Sequence, residues 1–197
     1  MKKFSKLWQN RILILVYKYE GSKMKKDLIV LQEGNKDCGA ASLLSIIRYY
    51  GGDISLDRLT EMTKTTKEGT NFYNLSEASS KLGLMAKSYK ASDVSQIKEV
   101  KCPYIVQLNN KNYMHFVVIY KLYEDKMLMM DPAVGKVTMD MFDFTNVWTG
   151  YLMLFEKIKS ISVITSDKKL MKMIWLVLFN NKSIIVFLTI LSLLITL

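Results

Sequence analysis

The hydrophobic period of this chain changes near Gly83, and that one switch removes most folds from consideration. Before it, apolar residues recur at helical spacing in three places: Cys38 to Tyr50, then Leu56, Leu59 and Met62 with Ser55 placed to cap them, then Leu75, Ala78 and Leu82. Gly51-Gly52, Gly69-Thr70 and Gly83 punctuate these segments. After it come short runs rich in β-branched and aromatic residues, which predict strands at about 85–89, 104–108, 113–122, 127–130, 136–139 and 151–155. Helices first and antiparallel strands later predict an α+β domain whose helical half packs on a sheet.

The first predicted helix is preceded by a polar loop, Gln32 to Asp37, and has Cys38 at its mouth. Ala41, Leu43, Leu44, Ile46, Ile47 and Tyr50 form a broad apolar face, with Ser42, Ser45 and Tyr49 expected on the opposite, polar side. The first turn of a helix leaves backbone N–H groups without intrahelical partners and carries the positive end of the macrodipole. A cysteine there has its thiolate favoured, and the thiolate is the nucleophilic form. The plainer reading is a small buried apolar residue, which free cysteines often are. Nucleophilic catalysis needs more: a base, a group that orients the base, and donors for an oxyanion.

His115 is the sole histidine, so any imidazole-based mechanism must use it. It opens the predicted buried strand Phe116-Val117-Val118-Ile119-Tyr120. After the polar turn Tyr123 to Lys126, Met127 to Met130 reads as the returning strand and ends in Asp131-Pro132. A tight turn centred on Glu124-Asp125 would pair Asp131 with Val118, about three residues or ~10 Å from His115. A bulge or a wider turn must close that gap.

These residues carry a family resemblance. Q-x5-C with D-C-G-A-A at the cysteine, H-F-V-V before a hairpin, and D-P-A-V-G resemble the C39 family of cysteine peptidases. These are papain-like N-terminal domains of bacterial peptidase-containing ABC transporters. The resemblance runs from about Met24 to Lys157 and includes G-G-x-I-S-L-x-x-L, E-G-T-x-x-x-x-L and K-L-G-L. It implies a papain-like fold with Cys38 as nucleophile and His115 as general base. It further implies that Asp131 orients the imidazole, and that Gln32 joins the Cys38 N–H in the oxyanion hole. The implied activity is an endopeptidase that cuts bacteriocin or peptide-pheromone precursors after a Gly-Gly or Gly-Ala leader, coupled to export, without a cofactor. The alternatives are a non-catalytic substrate-docking module of an exporter and a papain-like amidase or isopeptidase. Many family members have a second cysteine where this chain has Ser42, a position outside the catalytic set.

The formal charge of +10 suggests nucleic acid until it is mapped. Residues 1–26 hold eight Lys or Arg against one acid, and 157–182 hold six lysines against Asp167, whereas 27–156 hold fourteen basic and sixteen acidic residues. Basic flanks around a near-neutral core suit an anionic membrane surface, and no nucleic-acid motif is present. The expected organisation is a basic extension over 1–23, a peptidase domain over 24–157, a juxtamembrane elbow over 158–183, and the start of a first transmembrane helix over 184–197. That last segment would span ~21 Å, short of the ~30 Å hydrocarbon core. The apolar run Ile12 to Tyr17 imitates a signal peptide but is too short and lacks a small-residue cleavage site. The lysines before Ile184 favour a peptidase on the cytoplasmic side of a bacterial membrane. No G-x-x-x-x-G-K-[ST] phosphate loop occurs, so transporter membrane and nucleotide-binding domains would come from another chain or from further sequence. Cys38 and Cys102 lack the ligand company for structural zinc, and a disulfide between them does not suit the reducing cytosol. Phe72, Tyr73, Tyr104, Tyr113 and Trp148 are candidate walls of a groove for the leader.

Overall fold

The computed structural model describes residues 24–110, 113–161 and 167–181. Three helices come first: α1 (Cys38–Tyr49), α2 (Leu56–Met62) and α3 (Phe72–Lys81). They are followed by β1 (Leu84–Lys90), β2 (Tyr104–Asn110), β3 (Tyr113–Leu122), β4 (Lys126–Asp131), β5 (Gly135–Asp140), a short helix α4 (Met141–Val147) and β6 (Trp148–Lys157). The strands form one antiparallel six-stranded sheet in the order β1-β6-β2-β3-β4-β5. The predicted α+β order is the observed one. Each expected strand is present; β3 has the expected ends, and the others extend by up to three residues at an end.

Alternation along the strands loads both faces of the sheet. Tyr104, Val106, Leu108, Val117, Ile119, Met127, Met129, Val137 and Leu152 form one buried cluster with Ile97 and Phe144 of α4. Residues of the other parity, such as Ile105, Val118 and Met130, are also fully buried. Across the helical layer, α1 lies against β3. Leu43, Leu44, Ile46 and Ile47 are at most 2% exposed, each contributing ~1.5–3 kcal/mol of transfer free energy. The helix stops where the glycines predict. Gly51 sits at φ +89°, and the Gly51 and Gly52 N–H groups return to the Arg48 and Ile47 carbonyls, closing the C-terminus. Gly52 has no space for a side chain, because a Cβ there would collide with Ile161.

Several local expectations need correction. Ser42 and Ser45, placed by periodicity on a polar side, are fully buried. Their hydroxyls are satisfied: Ser42 Oγ donates to the Phe116 carbonyl, and Ser45 Oγ donates to the Leu28 carbonyl. A small hydroxyl with a local acceptor enters a core at little cost, so α1 is wrapped on more sides than its apolar stripe suggests. Ser55 occupies the N-cap position of α2 without a side-chain cap bond, while Asn71 caps α3 through the Asn74 N–H. Helix α4 has no counterpart among the expected elements; its seven residues bury Phe144 alone.

The segment from 164 onward is a separate compact unit and contains α5 (Asp167–Asn180). Met171, Met173, Ile174, Trp175, Leu176, Val177 and Phe179 of α5 are exposed. No helix among the described residues is long and apolar enough to cross a membrane. The expected membrane segment 184–197 and the extension 1–23 lie outside the described residues.

Candidate active site

Cys38 is the first residue of α1 and is 8% exposed. The Asp37 carboxylate turns back into the preceding loop, where it accepts from the Gly34 N–H at 2.7 Å, and makes no side-chain cap on the helix. The first-turn N–H groups of α1 are therefore not taken up by that carboxylate. Gly39 follows Cys38 because nothing larger fits: a Cβ would strike Thr70 Cγ2 and lie 3.3 Å from the Phe116 ring. The thiol is thus held at a close approach between α1, the loop before α3, and β3.

His115 and Asp131 are each 2% exposed, and His115 Nε2 lies 2.8 Å from Asp131 Oδ1. The contact depends on a bulge. Next to the hairpin turn, Leu122 pairs with Met127 and Lys121 with Leu128, a register that would place Asp131 opposite Val118. Beyond Tyr120 the register shifts by one, so Ile119 pairs with Met129 and Val118 with Met130. A slip of one residue exchanges the two faces of a strand. Without the extra residue, Asp131 would share a face with Val118 and turn away from His115. With it, Asp131 follows Met127 and Met129 on the face that holds His115, Val117 and Ile119. This is the bulge the sequence spacing required, now located at Tyr120.

Asp131 Oδ1 also accepts from the Ala133 N–H at 2.8 Å, which fixes the carboxylate. With Nε2 on Asp131, Nδ1 is the ring nitrogen left for Cys38, and the thiol and imidazole are hydrogen-bonded. Burial pushes the Cys38 thiol up, but the hydrogen bond and charge of His115, with backbone bonds from Phe116 and Gly39, outweigh it and bring the thiol below its usual value. Burial pushes His115 down; the Asp131 bond, the Cys38 bond and both charges prevail and raise it to about 10. Both shifts favour the same charge state, a thiolate beside an imidazolium that a buried carboxylate holds. Such a pair can attack a carbonyl carbon and return a proton to a leaving amine.

Gln32 reaches the same neighbourhood from the N-terminal side. Its backbone N–H donates to the Pro132 carbonyl at 2.9 Å, directly after Asp131. Its Oε1 is buried with no hydrogen-bond partner among the described residues. Turning the side-chain amide by 180° would present NH2 at that point without changing its shape, giving donors with no protein acceptor to satisfy. A developing oxyanion is the acceptor such donors suit.

The aromatic candidates divide. Tyr104 is fully buried and Trp148 packs against the core, so neither is a groove wall. Tyr73 is 74% exposed, Phe72 makes edge contacts with Phe116, and the Tyr113 ring lies 6.3 Å from that of His115. Lys36 Nζ stands 5.9 Å above the Tyr113 ring, linking the loop before Cys38 to the start of β3. Cys102 is a free thiol that burial pushes up to about 11, chemically unlike Cys38. No cluster of three metal-ligating side chains occurs among the described residues. Periodicity does not single out Gly39, Thr70, Tyr120 or Ser45; the only signal is that Gly39 follows the cysteine directly.

The chain is similar to known proteins in both sequence and fold. The chain is 37% identical over 139 residues to the lactococcin-G-processing and transport ATP-binding protein LagD of Lactococcus lactis, covering 70% of this chain and 19% of that protein. It is 33% identical over 122 residues to the pediocin PA-1 transport/processing ATP-binding protein PedD of Pediococcus acidilactici, of which it covers 17%. The chain therefore spans less than a fifth of the length of these curated relatives. Among solved structures, the peptidase domain of Streptococcus ComA, a bi-functional ABC transporter, aligns with TM-score 0.60 and 32% identity over 65% of this chain and 96% of that one. A double glycine motif protease from an AMS/PCAT transporter, in complex with its leader peptide, aligns with TM-score 0.61 and 29% identity over 66% and 90%. The family description that matches residues 26–160 is that of the peptidase C39 family, and the chain belongs to it.

Proposed function

We propose that this chain is a cysteine endopeptidase that removes leaders from bacteriocin-type or pheromone precursors, cutting after Gly-Gly or Gly-Ala. The observation that carries the reading is the buried line Cys38, His115, Asp131, in which both pKa directions favour thiolate and imidazolium. In this reading the Cys38 thiolate attacks the carbonyl carbon of the second glycine. The oxyanion is held by the Gln32 side chain and the Cys38 N–H, and the C–N bond breaks as His115 protonates the departing amine. His115 then takes a proton from water, whose oxygen attacks the thioester and frees the leader carboxylate. Asp131 keeps the imidazole oriented and stabilises its positive form.

Glycine on the acyl side of the cut fits a cleft with Tyr113 beside His115, since a residue without Cβ brings extended backbone close to Cys38. Apolar leader residues further upstream would supply the binding energy. The relatives are processing and transport proteins, which supports action beside transporter membrane and nucleotide-binding domains, on another chain or in further sequence. The exposed apolar residues of α5 among lysine-rich sequence suit an interfacial helix at the cytoplasmic face of a membrane.

Mass spectrometry of a synthetic double-glycine precursor incubated with the protein tests the reading. The expected cut follows the second glycine and is lost when that glycine is replaced by Val. Efficient cleavage after Val would overturn the double-glycine specificity.

A further inference from the structure

We propose that Tyr120 is a positioning residue: its hydroxyl, tied to Ser45 on the helix that carries Cys38, pins the bulge that brings Asp131 onto His115. The inference rests on the peptidase reading above. Tyr120 is where the pairing of β3 with β4 shifts register, and without that shift Asp131 belongs to the wrong face of the sheet. A bulged residue has lost its place in the ladder and needs another anchor to hold one register against its neighbour.

The structure provides that anchor. Tyr120 Oη lies 2.6 Å from Ser45 Oγ, to which it donates, with the Ser45 carbonyl 3.1 Å away as a second acceptor for the same proton. Ser45 Oγ donates in turn to the Leu28 carbonyl, so the chain of bonds ends on a backbone acceptor. Ser45 is fully buried, and the Tyr120 ring leans on that of Tyr49, with centroids 6.1 Å apart. Burial pushes the Tyr120 phenol up, which keeps it a donor.

The connection is specific in what it joins. Ser45 stands seven residues after Cys38 on α1, about 10 Å along the helix, and Tyr120 stands five residues after His115 on β3. The two elements that carry nucleophile and base are therefore crosslinked behind the cleft, at the residue that also sets the third member in register. A half-buried ring that merely filled space would not need its hydroxyl seated on the helix that carries Cys38.

Tyr120→Phe keeps the ring and removes the bonds. The expected result is a fall in kcat of ~10- to 100-fold at nearly unchanged KM for a double-glycine precursor, as geometry is lost by a fraction of an ångström. The pH at which Cys38 becomes half-reactive toward iodoacetamide should rise by about one unit, because His115 is held less well by Asp131. The double variant Ser45→Ala/Tyr120→Phe should be little worse than Tyr120→Phe alone, since both remove the same tie. A Tyr120→Phe protein with a lower Tm but wild-type kcat and alkylation profile would overturn the proposal and leave a packing role. If Tyr120→Phe fails to fold, Ser45→Ala read by the same two assays decides. The alkylation assay uses no substrate, so it reports on positioning even if the precursor is not cleaved, an outcome that would instead count against the peptidase reading.

Discussion

Replacing Asp131 by Asn isolates the charge of the buried carboxylate from its shape. The amide oxygen of the new side chain can still accept from His115 Nε2 and the Ala133 N–H, so both 2.8 Å contacts survive and only the negative charge is lost. Coulomb's law at an effective dielectric of ~20 gives ~4 kcal/mol for charges ~4 Å apart, or ~3 pKa units, and the retained neutral hydrogen bond reduces the loss to ~2 units. His115 starts at about 10 and the Cys38 thiol below 9.0, so the ion pair is favoured over the neutral pair by a factor of at least about ten. Lowering His115 by ~2 units cuts that ratio about a hundredfold, and the reactive fraction drops by up to about tenfold. We therefore expect kcat/KM to fall by up to ~10-fold at neutral pH, with the alkaline limb of activity moved down by ~2 units. The sign follows from the direction of the shift: a base raised by its partner is charged up to its folded pKa, and losing the partner ends that charge at lower pH. Iodoacetamide alkylation of Cys38 from about pH 5 to 10, alongside cleavage over the same range, measures both. Unchanged profiles in Asp131→Asn would refute the claim that the carboxylate sustains the imidazolium.

Three other outcomes follow from the same geometry. His115→Ala should lose ~10²-fold or more of the cleavage rate, a deeper loss than Asp131→Asn, because no second imidazole exists to replace it; steady-state kinetics of the two variants will rank them. Gly39→Ala should destabilise the domain by ~1–3 kcal/mol and reduce activity together, since the new methyl group must displace Thr70 or Phe116 at the mouth of α1; urea titration gives the first and precursor cleavage the second. At neutral pH iodoacetamide should modify Cys38 well before Cys102, whose thiol burial pushes up to about 11, as peptide mapping after partial alkylation would show.

The sequence is most legible where one physical rule acts alone. The end of α1 at Gly51-Gly52 follows from turn residues, and the central strands β2, β3 and β4 follow from apolar runs, because both faces of the sheet are buried along them. The partnership of Asp131 with His115 is legible to within one residue. Hairpin spacing brings the two near and requires a bulge, but no local pattern says that Tyr120 is the residue that bulges. Ser42 and Ser45 mislead for a related reason: hydropathy scores a hydroxyl as polar without knowing that a carbonyl will face it. Tyr104 misleads in the opposite sense, an aromatic of the type that lines grooves but buried whole, with its hydroxyl lacking a partner. Helix α4 escapes notice because Met141–Val147 buries one side chain and so carries no period.

The central claim is that Cys38 is the nucleophile of a double-glycine peptidase, and one paired measurement tests it most directly. Wild-type protein and Cys38→Ala are incubated with the same synthetic precursor and the products are read by mass spectrometry. The substitution removes one sulfur from a site at the start of α1 and should leave the circular dichroism spectrum unchanged. The account predicts two fragments meeting after the second glycine from the wild type and none from the Ala variant. Cleavage by Cys38→Ala at the wild-type rate and position would contradict it.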